Sequence, residues 1–334
     1  MGPLFAKEPA VSTATLPLPA RKTGDRLRFG LNATPMHTTW QEYRTLCVEA
    51  EAMGFDSFWV FDHFVPGPVD RHGPCLECFT TISALASITT RITLGTLVVA
   101  VAYRNPGLVG KMGAMVDQIS GGRFVLGMGA GYNQYEHEMY GGTLPSKAER
   151  VRMEDEALAL IRTMWTEQPA SFHGRFYTLK DALTDPPPLQ KPYPPILVGA
   201  RGEQLAFRVV AKHADQWNTA ASVDDVRRLS AVLDERCREV GRDPATLERT
   251  AIVLQTVAAS PAGEQAAKDK LTAVFRQPFE ALAPRVMTGP PEAAVERLQE
   301  YIDAGITHFM FSVFAPYDLD GLRVLAERVI PKFR

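Results

Sequence analysis

The feature that most constrains this chain is an alternation. From residue 29 onward, short apolar runs rich in β-branched residues trade places with longer amphipathic stretches, and the exchange repeats eight times. That rhythm marks βαβ units built on a parallel sheet. Strands are expected at 29–34, 57–64, 92–101, 123–130, 196–200, 216–220, 250–258 and 307–314. Helices are expected at 39–53, 76–89, from Asn105-Pro106 to about 119, and at 147–165, 203–213, 224–240, 263–274, 292–304 and 319–330. In the first helix Tyr43, Leu46, Cys47 and Ala50 recur at helical spacing, and Gly54 stops it. The run 92–101 (ITLGTLVVAV) is apolar almost throughout, as suits a strand buried on both faces.

A length of 334 residues admits two domains, but no shift in composition marks a linker. Eight βα units without a break fit one (β/α)8 barrel over residues 28–334 better than two doubly wound domains. The first 27 residues, rich in Ala, Pro and Thr, read as a flexible tail without the apolar stretch of a secretory signal. Residues 132–195 read as an insertion after the fourth strand, with a hairpin at 171–179 and six prolines after Asp185.

Composition narrows the function classes. With 36 Lys+Arg against 38 Asp+Glu there is no polybasic face for nucleic acid or anionic lipid. No apolar run reaches the length of a membrane span. Four cysteines (Cys47, Cys75, Cys78, Cys237) are too few for a disulfide scaffold, so a reduced, cytoplasmic protein is expected. A lone Cys75-x-x-Cys78 is thin evidence for zinc, and no metal is assigned. No G-x-S-x-G, H-E-x-x-H or Walker loop occurs.

Barrel enzymes carry their chemistry where the strands end. Asp62-His63 closes the second strand, placing a carboxylate and an imidazole at the mouth, where they either serve a reaction or cap local backbone. Gly127-Met128-Gly129-Ala130-Gly131-Tyr132 closes the fourth; its glycines permit close approach to a flat ligand or simply make a tight turn. Gly199-Ala200-Arg201-Gly202 joins the fifth strand to a helix expected to begin near Glu203, which is either a phosphate site or a plain turn.

In order along the chain, Asp62-His63-Phe64, Glu77 to Thr81, Arg91 to Val98, Tyr103 to Pro106, Ser120 to Arg123, Gly127 to Asn133, Pro194 to Gly199, Ala214 to Asn218 and Ala304 to Phe309 resemble the bacterial luciferase-like family of flavin and deazaflavin oxidoreductases. The resemblance implies a barrel mouth that binds coenzyme F420 or, alternatively, reduced FMN. It implies hydride transfer with a small organic substrate, the alternatives being an FMN-dependent monooxygenase and a non-catalytic flavin-binding protein. By resemblance, Asp62 and His63 lie beside the ring, with His63 as proton donor or acceptor and Asp62 orienting it. Leu97-Val98 is then the candidate non-prolyl cis peptide behind the ring. Gly199, Ala200, Arg201 and Gly202 match the phosphate turn, and Gly131, Tyr132 and Asn133 contact cofactor or substrate. Tyr132 follows Gly131 where an F420-using sugar-phosphate dehydrogenase branch has a glutamate, a departure that weighs against that activity. A homodimer and a separate flavin or F420 reductase are further implications.

Overall fold

A computed structural model describes residues 26–67 and 71–334; the tail expected at 1–27 falls almost wholly outside them. Eight parallel strands form a closed ring: β1 (Arg28–Ala33), β2 (Ser57–Val60), β3 (Thr93–Thr96), β4 (Phe124–Gly129), β5 (Ile196–Gly199), β6 (Gln216–Thr219), β7 (Glu248–Gln255) and β8 (His308–Val313). The ring closes through β8 and β1, where Asn32 lies opposite Ser312, and through β6 and β7, where Gln216 lies opposite Glu248. This is a (β/α)8 barrel. Helices connect the strands: α1 (Trp40–Ala52), α2 (Cys78–Ile88), α3 (Pro106–Ser120), α4 (Gln134–Met139), α5 (Lys147–Thr166), α6 (Leu205–His213), α7 (Val223–Glu239), α8 (Pro261–Phe275), α9 (Phe279–Leu282), α10 (Pro291–Asp303) and α11 (Leu319–Val324). Between β4 and β5 run α4, α5 and a hairpin of Ala170–His173 with Thr178–Ala182.

Local chemistry sets the boundaries. Thr39 and Glu42 form a reciprocal capping box at α1, and Glu77 accepts the amides of Phe79 and Thr80 at α2. Asn105 caps α3 with Pro106 in its first turn, and Gly121, at φ 67°, ends it in the left-handed region. Two expectations need correction. The second strand stops at Val60, so 61–64 belongs to the mouth. The run 92–101 is no single strand: β3 ends at Thr96, the Leu97-Val98 bond is cis, and Val99–Ala100 pairs separately with β4.

Two layers of apolar packing hold the ring. Outward-facing strand residues such as Phe29, Phe58, Phe124 and Phe309 meet the helices. Inside, Trp59, Leu97, Val125, Leu197 and Met310 fill the bore. Each such side chain contributes roughly 1.5–3 kcal/mol through burial. Gly95 makes room for the indole, since a Cβ there would lie 2.2 Å from Trp59 Cζ3. Below it, Trp59 Nε1 donates to Ser57 Oγ at 2.8 Å, and Ser57 Oγ lies 2.7 Å from His308 Nε2. Burial pushes His308 well below the usual imidazole range.

Candidate functional site

Asp62 follows β2 and is only 3% exposed. Its Oδ2 accepts from Arg104 Nη1 at 2.6 Å and from the Ala100 amide at 3.3 Å. Arg104 also donates to Glu77 Oε1 at 2.7 Å, so one guanidinium ties the mouth of β2 to the cap of α2. Burial raises the Asp62 carboxyl above the usual range, with Arg104 opposing that rise. Asp62 Oδ1 is buried without a hydrogen-bond partner among the described residues. The expectation that Asp62 orients His63 is therefore corrected: the carboxylate faces Arg104, while the Nδ1 of His63 meets Glu136.

His63 is oriented by a different acid. Its Nδ1 lies 2.8 Å from Oε2 of Glu136, in α4, whose side chain is 0% exposed. The same carboxylate accepts from the amides of Phe64 and Val65 at 2.8 and 3.2 Å, from Asn133 Nδ2 at 2.6 Å and from the Tyr103 hydroxyl. Burial alone would raise Glu136, but the hydrogen bonds from His63, Tyr103 and Phe64 outweigh it and hold the carboxyl down at about 2. Burial first, then the neighbouring Glu136 carboxylate, pushes the Tyr103 hydroxyl up. Glu136 was not among the residues expected from the sequence. The available signal was Asn133-x-x-Glu136, the spacing of a helix start, here folded inward to hold a histidine 73 positions earlier.

The other expected residues spread along the rim. Asn133 is buried and serves Glu136. Tyr132 is 71% exposed, with its hydroxyl 3.5 Å from His63 Nε2. Gly131 has φ 72°, and Arg150 Nε donates to the carbonyls of Ala130 and Gly131 at 3.1 and 3.2 Å, fixing the turn. Leu97 and Val98 form the cis peptide between β3 and Val99–Ala100. Around it only glycine fits: a Cβ on Gly127 would lie 1.9 Å from the Thr96 carbonyl oxygen, and one on Gly129 would lie 2.7 Å from Val98 Cγ2. Thr96 Oγ1 and the Gly127 backbone exchange two hydrogen bonds, at 2.8 and 2.9 Å.

Gly199 ends β5, and a Cβ there would sit 3.3 Å from Val98. The Ala200 amide donates to Asn218 O and its carbonyl accepts from Trp217 Nε1 at 2.9 Å. The following helix begins at Leu205 rather than Glu203, and the side chain of its N-cap residue, Gln204, makes no capping hydrogen bond among the described residues. Gly202 leads into that turn, its carbonyl accepting from Phe207 N. Arg201 is half exposed, 3.7 Å from Asp225. Across the barrel, where β7 and β8 end, a cavity of about 250 Å³ lies under α8, lined by Gln255, Lys270, Leu271, Ser312 and Phe314 among others.

These features define a (β/α)8 protein whose mouth is backed by a non-prolyl cis peptide and flanked by a buried aspartate and an acid-held histidine. The chain belongs to the luciferase-like monooxygenase family, whose model matches residues 25–285. It is 28% identical to an F420-dependent glucose-6-phosphate dehydrogenase of Microbacterium testaceum (strain StLB037), across 92% of this chain and 98% of the relative. Its fold is that of an F420-dependent secondary alcohol dehydrogenase solved with an F420-acetone adduct, with TM-score 0.82 and 22% identity over 92% of this chain and 99% of that one. The monooxygenase RslO1 from Streptomyces bottropensis shares it too, with TM-score 0.77 and 20% identity over 92% of this chain and all (100%) of that one.

Proposed function

We propose that this protein is an oxidoreductase that uses coenzyme F420 for hydride transfer to or from a small organic substrate. The carrying observation is the placement at one rim of the buried Asp62, tied to Arg104, and the Glu136-held His63. The residues suit a planar, phosphate-bearing cofactor. Among the described residues Asp62 Oδ1 lacks a donor, which a bound cofactor would have room to supply, and the uncapped start of α6 beside Arg201 would suit a phosphate. When bound, the deazaflavin supplies the two-electron acceptor or donor. His63 gives or takes the proton at the substrate, Asp62 and the Leu97-Val98 segment hold the ring, and Gly199, Ala200, Arg201 and Gly202 hold the phosphate. Gly131, Tyr132 and Asn133 complete the rim. The F420-dependent relatives support this choice over FMN.

We place the protein in the cytoplasm as a homodimer: its four cysteines are free thiols, and Leu108, Met115 and Ile119 leave an exposed apolar stripe along α3. Among the described residues no helix is long and apolar enough to cross a membrane. A separate reductase would regenerate the cofactor where the reaction itself does not.

The test is fluorescence titration with F420 and with FMN, each oxidised and reduced. Tight binding of F420 is the expected result. Preference for reduced FMN would move the protein to the oxygen-dependent monooxygenases, and binding of neither would overturn the proposal.

A further inference from the structure

We propose that Glu136 is the positioning residue of this site: by accepting the Nδ1 hydrogen of His63 it fixes the ring as the tautomer whose bare Nε2 takes a proton from the substrate. This deepens, and rests on, the oxidoreductase reading. Donors and acceptors decide the tautomer. An ionised carboxylate only accepts. Besides the ring, Glu136 receives four donors: the Phe64 and Val65 amides on Oε1, and Asn133 Nδ2 and the Tyr103 hydroxyl on Oε2. With these four holding the fully buried carboxyl as an acceptor, the hydrogen between His63 and Glu136 belongs to Nδ1. The neutral ring then has its lone pair on Nε2. That nitrogen lies 3.5 Å from the hydroxyl of exposed Tyr132, which can itself donate.

The step balances. The substrate O–H bond breaks, its electron pair stays on oxygen, and the proton bonds to the Nε2 lone pair. The resulting imidazolium faces the Glu136 carboxylate at 2.8 Å, which stabilises the new charge. In the reverse direction the same nitrogen returns the proton. Glu136 itself stays ionised throughout.

The test is spectroscopic and needs no substrate. Long-range ¹H–¹⁵N NMR of histidine-labelled protein, with His63 assigned through His63→Ala, is recorded at pH 9, where an ordinary imidazole is neutral. The wild type is expected to favour Nδ1–H at His63 by at least ~10-fold, as a charge-assisted hydrogen bond supports. In Glu136→Gln the carbonyl keeps the two backbone amides and the amide nitrogen faces Nδ1 as a donor, so the preference should reverse to Nε2–H. Glu136→Asp, which keeps the charge, should restore Nδ1–H. A wild-type ring protonated at Nε2, or a Glu136→Gln ring that keeps Nδ1–H, would overturn the proposal. The wild-type spectrum decides even if the glutamine variant does not fold. Because it is recorded without cofactor, failure of F420 binding is a separate result that sinks only the reading beneath it.

Discussion

Arg104 Nη1 sits 2.6 Å from Asp62 Oδ2, and this guanidinium is what lets a carboxylate remain at the buried end of β2. Arg104→Met should leave that carboxylate unpaired and cost about 3 kcal/mol. Chemical denaturation measures the loss, and adding Asp62→Asn should recover part of it. A single variant as stable as wild type would show that the pair does not support the fold.

Glu136 carries a pH signature. Its folded carboxyl is lowered from 4.5 to about 2, so the stability it supplies is complete above the ordinary glutamate value and is lost as pH falls from there toward 2. That contribution is on the order of 3 kcal/mol. Denaturation midpoints across this window should fall steeply for wild type and less steeply for Glu136→Gln.

For the proton, His63→Ala should lower turnover roughly 10²-fold while the F420 dissociation constant changes far less. Steady-state kinetics beside fluorescence titration separates the two. Unchanged turnover would remove His63 from the reaction.

Gly127 faces backbone. An added methyl 1.9 Å from the Thr96 carbonyl oxygen cannot be relieved by a rotamer change, so Gly127→Ala should destabilise by about 2 kcal/mol or more and weaken F420 binding. Gly67, where an added Cβ meets nothing within 4 Å among the described residues, provides the control, and Gly67→Ala should melt like wild type.

Arg201 is half exposed and loosely placed against Asp225, a pairing worth little to stability. Arg201→Ala should leave the melting temperature unchanged yet raise the F420 dissociation constant about 10-fold, the loss of one charge-assisted phosphate contact. An unchanged constant would take Arg201 out of the phosphate site.

The barrel was legible because strands buried on both faces must be apolar, and helices covering them must be amphipathic. Asp62 and His63 were legible as mouth residues for the same reason: they end such a run. Their partners were not. Arg104 lies 42 positions from Asp62, and Glu136 lies 73 from His63, so periodicity carries no trace of either pair. The adjacency of Asp62 and His63 in the chain invited a pairing that the structure does not make, since Arg104 takes one and Glu136 the other. Residues 92–101 read as one strand because their apolar character is continuous. What divides them is a backbone geometry that side-chain polarity does not encode.

The indole of Trp59, seated over Gly95 and moored to Ser57, closes the bore with Leu197 and Met310 as its neighbours. The barrel is thus a cup and not a tube. Ligands therefore come and go on the strand C-terminal side alone, never through the bore.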